Sequence, residues 1–160
     1  MISSDGMPRF ELYGFDFWPA DFQGYLQTLA PALKQSHFYW TPDDLWALQS
    51  RSALVLELAS DSPSFLIYQD YEAAAEVFFV FVSPLRRRNG LGRQMMTWAQ
   101  HHNANSHLKS WTLQVHEQNL GALAMYEALG YQVQRRLDRY YRDGQAALEM
   151  EARGIGLAKS

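Results

Sequence analysis

A chain of 160 residues, 48% hydrophobic and 14% aromatic, is long and apolar enough to bury a core as one domain, and its composition excludes the disordered class. Its formal net charge of -3 gives no general attraction to nucleic acid, so any anion site must be a local cluster. The absence of cysteine excludes disulfides, thiolate zinc sites and an acyl-cysteine mechanism.

Taken in order, Phe10 to Phe17 reads as a first strand, and Trp18 to Lys34 as a helical pattern broken by Pro31. Thr41-Pro42-Asp43-Asp44 is a helix start, with Leu45, Trp46 and Leu48 as the apolar positions that follow. Ala53 to Ala59, Phe65 to Tyr71 and Glu76 to Val82 read as three strands whose short connections imply an antiparallel meander. Past Pro84 the period becomes helical at Leu91, Met95, Trp98, Ala99 and His102, and Trp111 to Val115 returns to strand, a strand, helix, strand unit. Ala122, Met125, Tyr126 and Leu129 form another helical face, closed by Gly130 in the left-handed conformation. Two strands near Tyr131 to Tyr141 and Ala146 to Ala152 flank a turn at Arg142-Asp143-Gly144. One domain over 1–153 with a loose tail over 154–160 is the expected organisation. The first residues hold no apolar stretch, and the longest apolar run, Val77 to Val82, is far too short to span a bilayer, so a soluble cytoplasmic protein is expected.

The six residues Arg87, Arg88, Asn89, Gly90, Leu91 and Gly92 run straight into the amphipathic helix, whose first amides lack intrahelical acceptors. Two glycines let such a backbone curl round a pyrophosphate, and Arg86, Arg87, Arg88 and Arg93 supply charge. The turn lacks the Gly-Lys-Ser/Thr of a Walker loop and the third glycine of a dinucleotide fingerprint. A solvated basic turn capping a helix is the alternative.

With Val82 and Pro84 before it, this turn resembles the Arg/Gln-x-x-Gly-x-Gly/Ala signature of the GNAT superfamily of N-acyltransferases, carried here by Arg87, Gly90 and Gly92. A second stretch, Asn119, Ala122, Met125-Tyr126-Glu127, Leu129 and Gly130-Tyr131, keeps the spacing of that family's Asn-x-x-Ala-x-x-Leu-Tyr-Glu-x-x-Gly-Phe segment, with Met125 in place of leucine. Resemblance spans about Glu76 to Glu151 and implies an α/β (α+β) GNAT fold: a central, mostly antiparallel mixed sheet of about seven strands flanked by about four helices.

It also implies acetyl-CoA as acyl-donor cosubstrate, an amine as acceptor, and direct transfer between them. The donor would be held by the turn from Arg87 to Arg93, by Asn119 and Tyr126, and by the backbone of Phe81 and Val82 where that strand splays from Trp111 to Val115 after a bulge. Tyr126 would protonate the departing thiolate, a phenol of pKa ~10 acting on a thiol of ~8.5; otherwise it is a core tyrosine. Asn119 serves equally as a helix cap.

The end of the chain, Arg139-Tyr140-Tyr141 through Met150, resembles the last hairpin of ribosomal-protein and other protein N-terminal acetyltransferases, where the tyrosine pair helps hold the peptide. Tyr140, Tyr141 and Gln114 are therefore candidate acceptor contacts, although adjacent strand aromatics face opposite sides in any sheet. Gln114 stands where the bacterial ribosomal-protein enzymes carry a glutamate base, which leaves His116 or Glu117 to take the proton. That loss suits an α-amino acceptor, of pKa ~7.7–8.0, whose neutralisation near pH 7.4 costs under ~1 kcal/mol against about 4 kcal/mol for lysine. A small amine (polyamine, amino acid or aminoglycoside) is the other acceptor class, and an acyl-CoA-binding module without turnover the other function. Phe15, Phe17, Trp18, Phe38, Tyr39 and Trp40 lie where the first helices line the acceptor pocket, or simply pack the core. His101 and His102 diverge by about 100° on their helix, so no metal is expected. Neither nucleic acid nor membrane is an expected partner, and a monomer or homodimer is.

Overall fold

The computed structural model describes residues 8–35, 40–87 and 89–154. Phe38, Tyr39, Arg88 and the tail after Gly154 lie outside the described residues. The strands are β1 (Phe10–Tyr13), β2 (Ala53–Glu57), β3 (Phe65–Tyr71), β4 (Ala74–Phe81), β5 (Ser110–His116), β6 (Gln132–Leu137) and β7 (Ala147–Arg153). The helices are α1 (Ala20–Thr28), α2 (Ala30–Lys34), α3 (Pro42–Ala47), α4 (Leu91–His101) and α5 (Leu120–Ala128), one more than the four expected. Together the strands form a seven-stranded sheet in the order β1-β2-β3-β4-β5-β7-β6. Its pairs are antiparallel except β4 with β5, and that parallel pair is joined by α4 as a crossover.

Local chemistry sets the boundaries. Thr41 caps α3 through a reciprocal pair with Asp44, each side chain accepting the other residue's amide at 3.0 Å. The break expected at Pro31 falls at Leu29, and Pro31 sits in the first turn of α2, where its missing N–H has no helical acceptor to lose. β1 ends at Tyr13 rather than Phe17. Asp16 adopts φ 65° and donates its amide to the Gln49 carbonyl at 2.7 Å, a turn that leaves Phe15 and Phe17 in solvent. The strand expected from Tyr131 to Tyr141 ends at Leu137, so Tyr140 and Tyr141 occupy the connection to β7 rather than opposite faces of a strand. Gly130, at φ 94°, terminates α5 as anticipated.

Both faces of the sheet are covered. On one, α4 and α5 bury Met95, Met96, Ala99 and Tyr126 against Val55, Leu66, Trp111, Leu113 and Met150. On the other, α1 to α3 bury Trp18, Phe22, Leu26, Leu33 and Leu45 against Leu54, Phe65, Ile67, Phe79 and Phe81. Among the described residues only the β1 to β4 half receives the second layer, which leaves the far half of that face, carrying Thr112, Gln114, Glu149 and Glu151, uncovered by them. Among the described residues no helix is long and apolar enough to cross a membrane.

Two phenols in this core store a pH dependence. Burial pushes Tyr68, which donates to Asn105 at 2.9 Å, up to about 12, and Tyr126 likewise up to about 12. The ordinary value is ~10, so the neutral form is favoured by folding, and the stabilisation is whole below pH 10 and lost as pH climbs from 10 to 12. At about 1.4 kcal/mol per pKa unit, the urea midpoint should fall steeply over that window, with a shallower fall in Tyr68→Phe; equal slopes in the two proteins would refute this origin.

Candidate functional site

The site is created by one extra residue in β4. Ile67 pairs with Phe79 and Tyr68 with Val77, which leaves Phe78 as a bulge. Because side chains alternate with period two, the bulge reverses the faces: Ala75 and Val77 pack under α4 and α5, whereas Phe79 and Phe81 turn to α1–α3. The parallel ladder with β5 runs from Ala74↔Ser110 to Val77↔Leu113, and beyond it β4 and β5 diverge to their ends at Phe81 and His116. A wedge therefore opens between two central strands, as the motif predicted.

At the mouth of the wedge lies the glycine turn. Gly90 has φ 74° and ψ 14° and precedes α4 without any side-chain cap, so the first amides of the helix face outward, as an anion requires. Gly92 plays a different part: a Cβ there would stand 3.1 Å from Val82 Cγ2 and 3.2 Å from Met125 Sδ, so the missing side chain lets α4 press against both β4 and α5. Of the expected cations, Arg93 is exposed. Arg87 folds back, its Nε donating to the Val82 carbonyl at 3.0 Å. Arg86 leaves the cluster: it pairs with the buried carboxylate of Glu57, which also accepts the Ser64 amide at 3.1 Å. This corrects the expectation that Arg86 faces a phosphate, and its reason is that a buried carboxylate demands a partner.

From the other wall, Asn119 caps α5 by accepting the Ala122 amide at 3.2 Å. Tyr126 sits about two turns further on, buried, its ring 5.6 Å from Tyr131. Desolvation keeps its phenol protonated throughout the neutral range. Tyr141 is also pushed up, first by burial, then by charge on Tyr140 and Tyr126, so phenols from α5 and from the β6–β7 connection meet near the wedge.

On the open face, Gln114 Nε2 lies 3.5 Å from Glu149, its partner across the ladder, and Glu149 is gripped by both Arg135 Nε (3.0 Å) and Nη2 (3.2 Å). Tyr140 is 49% exposed; its phenol is raised first by partial burial and then by the carboxylates of Glu76 and Glu149, which lie near enough to act on it. Neither glutamate was singled out from sequence. Their signal is the alternation of Glu76 with buried Ala75 and Val77, and of Glu149 with Leu148 and Met150. Beside this face Trp40, Asp44, Leu48, Arg51 and Arg142 line a cleft of about 510 Å³, with the Arg51 guanidinium 5.8 Å from the Phe78 ring at the bulge. Trp18 belongs to the core and Trp40 to this cleft, whereas exposed Phe15 and Phe17 line neither.

Both expected bases are engaged. His116 is buried, with Nε2 2.9 Å from Asp143 Oδ2 and Nδ1 3.1 Å from the Gln118 amide. An amide can only donate, so Nδ1 accepts and the ring proton resides on Nε2. Taking up another proton requires His116 to release Gln118. Glu117 pairs with Arg136 at 3.1 and 3.3 Å, which lowers its pKa and weakens it as a base. Among the described residues no three His, Asp or Glu side chains are grouped to hold a metal.

Residues 64–131 match the family described as Acetyltransferase (GNAT) family. No curated protein matches the sequence. Among solved structures, the ribosomal-protein-S18-alanine N-acetyltransferase of Escherichia coli superposes with a TM-score of 0.73 at 20% identity, covering 91% of this chain and 94% of that one. A Bacillus subtilis acetyltransferase in complex with CoA gives 0.68 at 14% identity, over 91% and 98%. A spermidine N-acetyltransferase chimera from Vibrio cholerae gives 0.70 at 16% identity, over 89% and 96%. At these identities the likeness is one of fold.

The two glycines should fail differently when substituted. Gly90→Ala has room but forces a left-handed alanine, costing about 1 kcal/mol. Gly92→Val overpacks Val82 and Met125 and should cost ~1–3 kcal/mol by urea denaturation. A Gly92→Val protein as stable as the parent would mean that α4 does not bear on those two side chains.

Proposed function

We propose that this chain, whose residues 64–131 match the GNAT acetyltransferase family, is an acyltransferase that transfers an acetyl group from acetyl-CoA to an amine, preferentially the α-amino group of a protein or peptide. The observation that carries the reading is the wedge. β4 parts from β5 at Val77↔Leu113 beside the outward amides of α4, while Asn119 and Tyr126 approach from α5.

In this reading the pyrophosphate of the donor sits on the amides following Gly90, with Arg87 and Arg93 as its cations. The pantetheine arm lies in the wedge against the backbone of Phe81 and Val82, and the side-chain amide of Asn119 reaches the same arm. The acceptor lies on the open face, between Gln114 and the tyrosine pair, and its neutral nitrogen attacks the thioester carbonyl. The tetrahedral intermediate collapses, the carbon–sulfur bond breaks and Tyr126 donates its proton to the leaving thiolate, while the proton shed by the acceptor nitrogen passes to solvent and the phenolate is reprotonated from solvent. Its pKa of about 12 keeps the acid form present at every physiological pH.

Supply of the neutral amine is where the acceptor class matters. With Gln114 unable to accept a proton, His116 bound on both nitrogens and Glu117 tied to Arg136, an acceptor with an appreciable neutral fraction near pH ~7.4 has the advantage. An α-amino group meets that condition and a lysine does not. A small polycationic amine is the second reading, favoured by the two carboxylates flanking Tyr140.

Tyr126→Phe should lower thiol release from acetyl-CoA by at least about tenfold, with donor affinity within about twofold. A rate equal to the parent's would remove Tyr126 as the acid. Gly90→Trp should abolish calorimetric binding of acetyl-CoA, and retained binding would refute the phosphate turn.

A further inference from the structure

The end of β5 holds the connection between β6 and β7 in a way that the transfer reaction itself does not require. We propose that His116 and Asp143 form a clamp that presets Tyr140 and Tyr141 for the acceptor, which makes His116 a positioning residue and not the base. The inference rests on the acceptor lying against that tyrosine pair, as proposed above.

β5 pairs with β7 along its whole length, ending at His116↔Ala147, so His116 stands at the root of the connection. Its ring donates from Nε2 to Asp143 Oδ2 at 2.9 Å while the Gln118 amide fixes Nδ1 at 3.1 Å, so position and tautomer are both determined. Asp143 spends its other oxygen on the Gln145 amide at 2.9 Å. The Gln145 carbonyl in turn accepts the amides of Tyr140 and Tyr141, each at 3.1 Å. Tyr141 stacks on the His116 ring at 5.0 Å and 24°, and Tyr140 meets Tyr141 edge-on at 4.9 Å and 84°. One buried imidazole therefore sets the loop twice, through the carboxylate that closes its turn and through the face that seats its inner tyrosine.

A histidine 1% exposed at a strand end carries a desolvation cost that an aliphatic residue would avoid, and that cost is offset only by satisfying both nitrogens. What the arrangement adds is a connection ordered before the acceptor arrives, so that ordering is not charged against binding. Such a clamp acts on acceptor affinity and leaves the donor site, on the far side of the wedge, unaffected.

Steady-state kinetics of acetyl-CoA with an alanine-initiated peptide, and with spermidine, distinguish the roles. Asp143 is a loop residue, so Asp143→Ala spares the core. It should raise the acceptor KM at least about fivefold, with kcat and calorimetric acetyl-CoA affinity within about twofold. His116→Gln keeps an amide donor near the place of Nε2 but loses the ring beneath Tyr141, so it should raise the acceptor KM by less than Asp143→Ala does, with kcat within about twofold. An acceptor KM unchanged in Asp143→Ala, or a kcat lost by about a hundredfold in His116→Gln, would overturn the clamp, the second result making His116 the base. Should the unaltered protein bind acetyl-CoA yet acetylate neither amine, the transferase reading fails separately. Hydrogen exchange at the Tyr140 and Tyr141 amides then decides the clamp: exchange at least about tenfold faster in Asp143→Ala supports it, and equal rates refute it.

Discussion

One inserted residue governs this molecule. Without the bulge at Phe78, β4 would continue its ladder with β5 and the sheet would be closed, with no backbone to offer a ligand. With it, the strand changes which face each side chain serves, and both faces are apolar enough to accept the exchange: Val80 turns to the core under α4 and α5 while Phe79 and Phe81 enter the aromatic stack with Phe65. The opening is thus secured by packing on either side of the sheet rather than by the ligand it awaits.

That same arrangement explains what was legible in the sequence. The glycine turn and the Asn119 to Tyr131 segment are local patterns with fixed spacing, so the left-handed Gly90 ahead of α4 and the Asn119 cap of α5 could be read from them. The strands were legible too, most clearly as the apolar runs of β2 to β5, whereas β6, Gln-Val-Gln-Arg-Arg-Leu, holds no such run. Their ends were less so: Asp16 takes a left-handed turn only because the Gln49 carbonyl is there to receive its amide, and nothing near it in the chain announces that. The bulge position was hidden because Val77 to Val82 is apolar at every residue, leaving no polar marker of the reversal. Arg86 looked like part of a basic cluster, since the carboxylate that claims it, Glu57, is distant in sequence.

On the acceptor side the difficulty is topological. Glu76, Gln114 and Glu149 come from three strands far apart in the chain, and Tyr140 from a connection that resembled a strand. Only the strand order brings them to one open face. The result is a division of charge across the wedge, with guanidinium and outward amides at the donor end and carboxylates beneath the tyrosines at the other. On the proposed reading, an anionic donor and a cationic acceptor are thereby sorted before they meet.

The bond from Arg87 to the Val82 carbonyl carries a thermodynamic consequence. In the proposed donor complex, an amide of the donor taking that carbonyl would displace the guanidinium toward the phosphates held a few residues along. Binding at this corner is an exchange of partners in which the tally of hydrogen bonds hardly changes, and so a contact list drawn from a donor complex would overstate the enthalpy of association. The arginine works as a placeholder, keeping the carbonyl solvated by protein until something better arrives.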